Sequence, residues 1–225
     1  ARAAAANGFS VTLIAVVAFC IGRVIVASGW GTTYIPVVIA RWPSLSASTL
    51  SAGLLMLLVG IAGKSAQFPF HDWLPDAMEG PTPASALIHA ATMVAAGTFL
   101  LARLFPIFVL SDPARLVLAV STAVTMVGAA IIAFGQSDLK RMLAYSTLSQ
   151  IAIMLSALAV APASVGSGPA VFHLLSHAMF KALLFLSIGW LSVLVSGTAA
   201  SKLSGGIRYH PQLKWPLAIG LLSLA

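Results

Sequence analysis

Cysteine, acidic residues and charge of either sign are all scarce in this sequence. Cys20 stands alone, so no disulfide forms within the chain, and no cysteine pair is present to anchor a metal or an iron–sulfur cluster. Set in an apolar run, it reads as a space-filling residue. Charged residues make up 8% of the chain, too few for the solvated surface of an ordinary soluble domain. The twelve Lys and Arg outnumber five acids, for a formal charge of +7, yet they are scattered and never cluster. That distribution argues against nucleic acid as a partner and for loop charge that orients helices in a membrane. Signal-peptide architecture, a nucleophile triad and a glycine-rich phosphate loop are all lacking. The chain opens on Ala1 without a methionine, and Ala225 lies about twelve residues into a fresh apolar run, about 18 Å of a hydrocarbon layer ~30 Å thick. It therefore reads as an internal piece of a larger protein.

What is plentiful is hydrophobicity, 60% of residues with a mean hydropathy of +1.02. The apolar runs predict an all-α polytopic membrane protein, a fragment of a helix bundle. Spans are expected near 8–28, 48–63, 83–104, 111–135, 137–161, 170–196 and from 215 onward. Asn7 and Ser10 read as polar residues at the end of the first helix. Residues 29–47 read as a turn-rich loop whose Trp30, Tyr34 and Trp42 suit the membrane–water boundary. Alternating crossings put Arg2, Lys140, Arg141, Lys202, Arg208 and Lys214 on one side, expected to be the cytoplasm, against Arg41, Arg103 and Arg115 on the other.

The stretch GKSAQFPFHDWLPDAMEGPTPASALIHAATMVAAG, from Gly63 to Gly97, interrupts this regularity. Pro69, Pro75, Pro81 and Pro83 each remove a backbone donor from any helix that would run through it. In lipid an unsatisfied backbone group is costly, so a stretch broken in this way belongs inside protein or beside a wet cavity. A discontinuous helix is expected, broken after Gly63, with a short half-helix over 68–78. Lys64 follows sixteen nearly uncharged residues, and an intramembrane lysine by default marks an ion or proton pathway. The plainer alternative is a helix-end lysine reaching the interface. Asp72, Asp76 and Glu79 read as a solvated face or cap.

His89 falls about six residues into the third span. His173, His177 and Lys181, at i, i+4 and i+8 in VFHLLSHAMFKALLFL, drift only about 80° around a helix while climbing ~12 Å. Such a polar stripe on an apolar helix faces a protein interior or a water-filled path. Three readings stand for it. A His pair at this spacing suits zinc, although no cysteine and no HExxH glutamate accompanies it. Imidazoles bonded to neighbouring carbonyls would make it purely structural. A proton relay is the third, since imidazole titrates near neutral pH.

Three motifs in order, the stretch above, SDLKRMLAYSTLSQI and HLLSHAMFKALLFL, closely resemble the antiporter-like, proton-translocating membrane subunits, especially the largest such subunit of respiratory complex I. The likeness runs from about Ser51 to Trp190. It implies a fold of inverted five-helix repeats with broken helices at their centres. Residues 1–110 would end the first repeat with three spans, and 111–225 would begin the second with four. Lys64 stands where the family keeps the central protonatable lysine of the first half-channel, and His89 where a histidine passes protons along the polar axis. His173, His177 and Lys181 match the bridge between half-channels. The glutamate that pairs with the central lysine would lie upstream of Ala1. One departure is that Gly8-Phe9-Ser10-Val11 occupies the place of an Arg-Val-Gly-Asp segment.

The function so implied is proton translocation as a subunit of an NADH:quinone oxidoreductase, with no redox chemistry and no cofactor on this chain. A subunit of a multisubunit cation/proton antiporter moving sodium as well, and a non-pumping structural paralogue, are the alternatives. Expected partners are other membrane subunits, lipid and protons. The expected location is a bacterial plasma membrane, with an organellar inner membrane as the second choice.

Overall fold

The structure is a computed structural model, and it describes residues 2–28, 31–41, 45–90, 92–195, 197–203 and 210–224. Trp30, Trp42 and Arg208, assigned above to a membrane boundary and a charged loop, lie outside the described residues.

Helix α1, Arg2–Ser28, packs antiparallel along α3, Ala47–Lys64. Glycine makes their close approach possible. A Cβ on Gly63 would stand 2.2 Å from the Ala15 side chain, and one on Gly22 would stand 2.7 Å from the backbone of Gly53. Small residues at such a seam let two backbones gain dispersion contacts that lipid cannot replace. Ser46 caps α3 by accepting from the Thr49 amide.

Three expectations are corrected here. The first helix starts at Arg2 rather than Gly8. Asn7 is therefore inside it, donating to Asp76 Oδ2 at 3.4 Å rather than ending a helix. The connection assigned as a loop contains a helix, α2, Ile35–Arg41, whose Pro36 sits in the first turn, where a missing N–H costs nothing. The third span is not one helix. It divides into α5, Thr82–Ala90, and α6, Ala95–Phe108, with bends and turns at 92–94. No proline lies between them, so the proline-based reading placed a break only on the other side of Glu79.

That first break is present. Helix α3 stops at Lys64, a turn through 65–70 follows, and the short helix α4, Trp73–Asp76, continues as a 3-10 turn, Ala77–Glu79.

Helix α7, Asp112–Phe134, is capped by Ser111, and α8, Leu139–Val160, by Asp138, close to the expected span starts at 111 and 137. Helix α9, Gly168–Leu194, runs unbroken for 27 residues. The segment after α9 is fastened to the start of α8. Leu139 N donates to Thr198 O at 3.0 Å, Ala200 N donates to Ser137 O at 2.8 Å, and the Thr198 hydroxyl bonds the Asp138 carboxylate. A short helix, α10, Ala200–Leu203, and α11, Lys214–Leu224, complete the described chain.

Among the described residues six helical stretches, α5 and α6 counted together, are long and apolar enough to cross a membrane. The main apolar core joins α3, α6, α7 and α8 through Leu54, Ile61, Leu101, Phe108, Leu118 and Ile151. A second cluster gathers Met78, Ala86, Leu143, Ala144, Phe180 and Phe185 where the short helix, α5, α8 and α9 meet. The functional candidates lie around these two clusters.

Candidate functional site

Helix α9 carries the polar stripe as predicted, and its neighbours show which way it faces. Lys181 and His177 are fully buried, while His173 is half-buried nearer the end of the helix. Apolar side chains on the opposite face, Phe172, Leu175, Met179 and Leu186, are exposed. The stripe therefore points into the bundle, and Lys181 does not snorkel to a surface.

Helix α8 supplies the partners. Ser146 Oγ donates to Leu143 O at 2.9 Å, which commits its proton and leaves its oxygen to accept from Lys181 Nζ at 2.5 Å. One turn along, Gln150 Oε1 meets His173 Nε2 at 2.7 Å. As the carbonyl accepts, the proton sits on Nε2 and Nδ1 keeps its lone pair. Ser146 and Gln150 are one turn apart on α8, so antiparallel packing matches them to Lys181 and His173. The sequence reading missed both, although YSTLSQ holds them at i, i+4.

The third wall is α5. A Cβ on Gly189 of α9 would stand 2.4 Å from the Thr82 side chain of α5, so glycine is what lets the two helices close. His89 is thereby brought against α9, its ring 5.0 Å from that of Phe185, one turn beyond Lys181. The His173 and His177 rings are 6.4 Å apart, and His177 sits edge-on to Phe180 at 5.2 Å. His89, His177 and Lys181 thus form one buried constellation, with His173 at its outer end. Among the described residues no three His, Cys, Asp or Glu are grouped so as to hold a metal ion.

The imidazoles of His89 and His177 are fully buried; neither ring nitrogen of His89 has a protein partner, while the His177 ring lies beside the backbone carbonyl of Ala90. Each imidazole needs a donor for one nitrogen and an acceptor for the other, and buried polar groups in native proteins are nearly always satisfied by protein or ordered water.

Lys64 lies apart from this group. Half-buried at the last turn of α3, it borders a cavity of about 280 Å³ otherwise lined by apolar and glycine residues of α1, α3 and α6. Among the described residues its ammonium has no hydrogen bond and no ion pair.

The backbone around Lys64 is held firmly. Ser65 Oγ donates to Val94 O at 2.8 Å, tying the end of α3 to the turn between α5 and α6. Trp73 Nε1 donates to Gly63 O at 3.0 Å, and Thr125 Oγ1 accepts from Phe68 N at 2.9 Å. The carbonyls freed by both helix breaks are thus partly answered by side chains inside the protein.

The acids Asp72 and Glu79 are exposed, and Asp76 is half-buried beside α1. His71 contacts Asp72 at 3.1 Å. Lys140, assigned above as a cytoplasmic loop charge, is instead buried, with Nζ donating to Met78 O at 3.0 Å and Gly80 O at 2.9 Å.

A helical membrane bundle that buries a lysine and two histidines among its inner helices defines the class: a polytopic membrane protein with a polar, ionisable interior. The chain belongs to the NADH:quinone oxidoreductase/Mrp antiporter transmembrane family, whose model matches residues 1–225. It is 44% identical over 187 residues to NADH-quinone oxidoreductase subunit L of Neisseria meningitidis serogroup A, covering 83% of this chain and 27% of that protein. It therefore spans about a quarter of the length of such relatives. Two solved structures share its fold. The archaeal membrane-bound sulfane sulfur reductase aligns with a TM-score of 0.88 at 26% identity, over 97% of this chain and 45% of that one. The Mrp complex of a Dietzia species aligns with a TM-score of 0.82 at 32% identity, over 88% of this chain and 22% of that one.

Proposed function

We propose that this chain is part of a proton-translocating membrane subunit of an NADH:quinone oxidoreductase, with the redox chemistry and its cofactors on other subunits. The observation that carries the reading is the buried constellation of Lys181, His177 and His89, in which Lys181 bonds Ser146 and neither nitrogen of His89 has a protein partner. A purely structural histidine has its nitrogens bonded to carbonyls, and His89 does not. Imidazoles buried beside a buried lysine suit a relay, because each ring can take a proton on one nitrogen and release it from the other.

In this reading Lys64 is the central proton-holding group of the first half-channel, and residues 1–110 and 111–225 belong to successive repeats. Desolvation disfavours a charged form and an opposite charge favours it, so protonation of a buried lysine answers small rearrangements around it. The cavity beside Lys64 gives room for an acidic side chain from elsewhere in the complete protein to approach. Protons would then pass by way of His89 to His177 and Lys181, and leave past His173. The setting would be a bacterial plasma membrane, with further membrane subunits as partners.

A second reading, supported by the likeness to the Mrp complex, uses the same residues in a cation/proton antiporter without redox coupling. Proton uptake into sealed vesicles carrying the full-length protein in its complex separates the two. Redox-driven acidification that is independent of sodium supports the first. Uptake that appears only with a sodium gradient supports the second. No proton movement in either assay would remove both and leave the structural paralogue.

A further inference from the structure

Lys140 is the buried cation that the proton path does not use. Its ammonium reaches from the first turn of α8 to the carbonyls of Met78 and Gly80, at the far end of the short helix that begins at Trp73. Helix ends leave carbonyls without partners, and a cation placed there both bonds them and opposes the partial negative charge of the terminus. The short helix is itself packed in, with Trp73, Leu74 and Met78 all buried. At its near end the Trp73 indole grips the carbonyl of Gly63, the residue before Lys64.

We propose that Lys140 is a positioning residue for Lys64. Residues 73–80 act as a strut, clamped by Lys140 of α8 at one end and holding the last turn of α3 by Trp73 at the other. Two features make a strut out of what would otherwise be loose chain. The segment is short, so movement at one end has few bonds in which to dissipate. Both anchors are directional hydrogen bonds made by buried side chains, one of them charged, and bonds to charged groups are the stronger kind. The strut also crosses the molecule: α8 carries Ser146 and Gln150, the partners of Lys181 and His173, so one helix holds both lysine sites. Removing the ammonium leaves two carbonyls without their donor and frees the end of the strut.

The functional consequence rests on the role proposed above for Lys64, whereas the positioning itself does not, and the experiment keeps the two apart. Hydrogen exchange is followed on the full-length protein in its complex, reading the amides of Ser65 and Gln67, which bond Ile61 O and Ala62 O at 2.8 Å. In Lys140→Met these amides should exchange about tenfold faster, the scale of losing a bond to a charged group, with the middle of α8 unchanged. Lys140→Arg should restore most of the protection. Trp73→Phe should give the same acceleration, and the double variant no more than either alone, because both cut the same strut. Unchanged exchange at Ser65 and Gln67 in Lys140→Met, or additive effects in the double variant, would overturn the proposal. If Lys140→Met does not assemble, Lys140→Gln, which keeps a neutral donor, takes its place alone and with Trp73→Phe, and unchanged exchange in the single variant or additive effects in the double overturn the proposal equally. Faster exchange with undiminished proton translocation would uphold the strut and count against the role of Lys64.

Discussion

The two lysines that break the apolar pattern, Lys64 and Lys181, look alike in the sequence and differ in the structure. Lys181 is fully buried, bonded to Ser146 and walled by α5, α8 and α9. Lys64 is half-buried at a helix end and opens onto a cavity, with no partner among the described residues. The first is a finished site within these helices. The second has a rigid backbone cradle, from Ser65, Trp73 and Thr125, but its ammonium is left unanswered. A site whose scaffold is fixed and whose charge is not is suited to being tuned by what approaches it. A site whose charge is already bonded is suited to passing on what it receives.

The comparison can be broken by removing each charge in turn. Lys181→Met should have the largest effect, abolishing proton translocation in vesicles without loss of stability, since a buried ammonium is exchanged for an apolar side chain of similar length. A destabilised but still translocating Lys181→Met variant would show that the lysine serves the fold. Lys64→Met should also abolish translocation, but with assembly and thermal stability unchanged, because no described bond is lost. Normal pumping by it would remove the proposed difference between a tuned site and a relaying one.

Smaller effects sharpen the picture. Ser146→Ala strips a buried ammonium of its acceptor, a loss worth about 1–3 kcal/mol, so translocation should slow by roughly an order of magnitude and Ser146→Thr should restore it. Equal rates in all three proteins would mean that the bond does not matter to Lys181. Gln150→Leu frees a half-buried imidazole that water can reach, and should slow translocation only a few-fold. A loss as large as that of Lys181→Met would move the centre of the relay toward His173.

Hydrophobic runs made much of this architecture legible. Helices α7 and α8 begin within two residues of the expected 111 and 137, because the start of an apolar run is a local event. The stripe on α9 was equally readable, since i, i+4 and i+8 fix a face without knowledge of neighbours. What could not be read was what that face would meet. Ser146 and Gln150 become partners only through the antiparallel packing of α8 on α9, and serine and glutamine are unremarkable in an apolar helix until a charge is set beside them. The break between α5 and α6 was missed for a related reason. The reading relied on proline, and this break has none; its Val94 carbonyl is met by Ser65 from another helix. Lys140 misled in the opposite sense, as loop charge by position that the short helix draws into the interior.

The central claim is that the constellation of His89, His177 and Lys181 is a hydrated proton path and not a structural or metal-holding cluster. A cryo-electron microscopy map of the full-length protein in its complex, at a resolution that shows ordered water, tests it directly. The account predicts water within hydrogen-bond reach of the ring nitrogens of His89 and His177, continuing to Lys181. Both imidazoles bonded only to protein carbonyls, or both bound to one zinc ion, would contradict it.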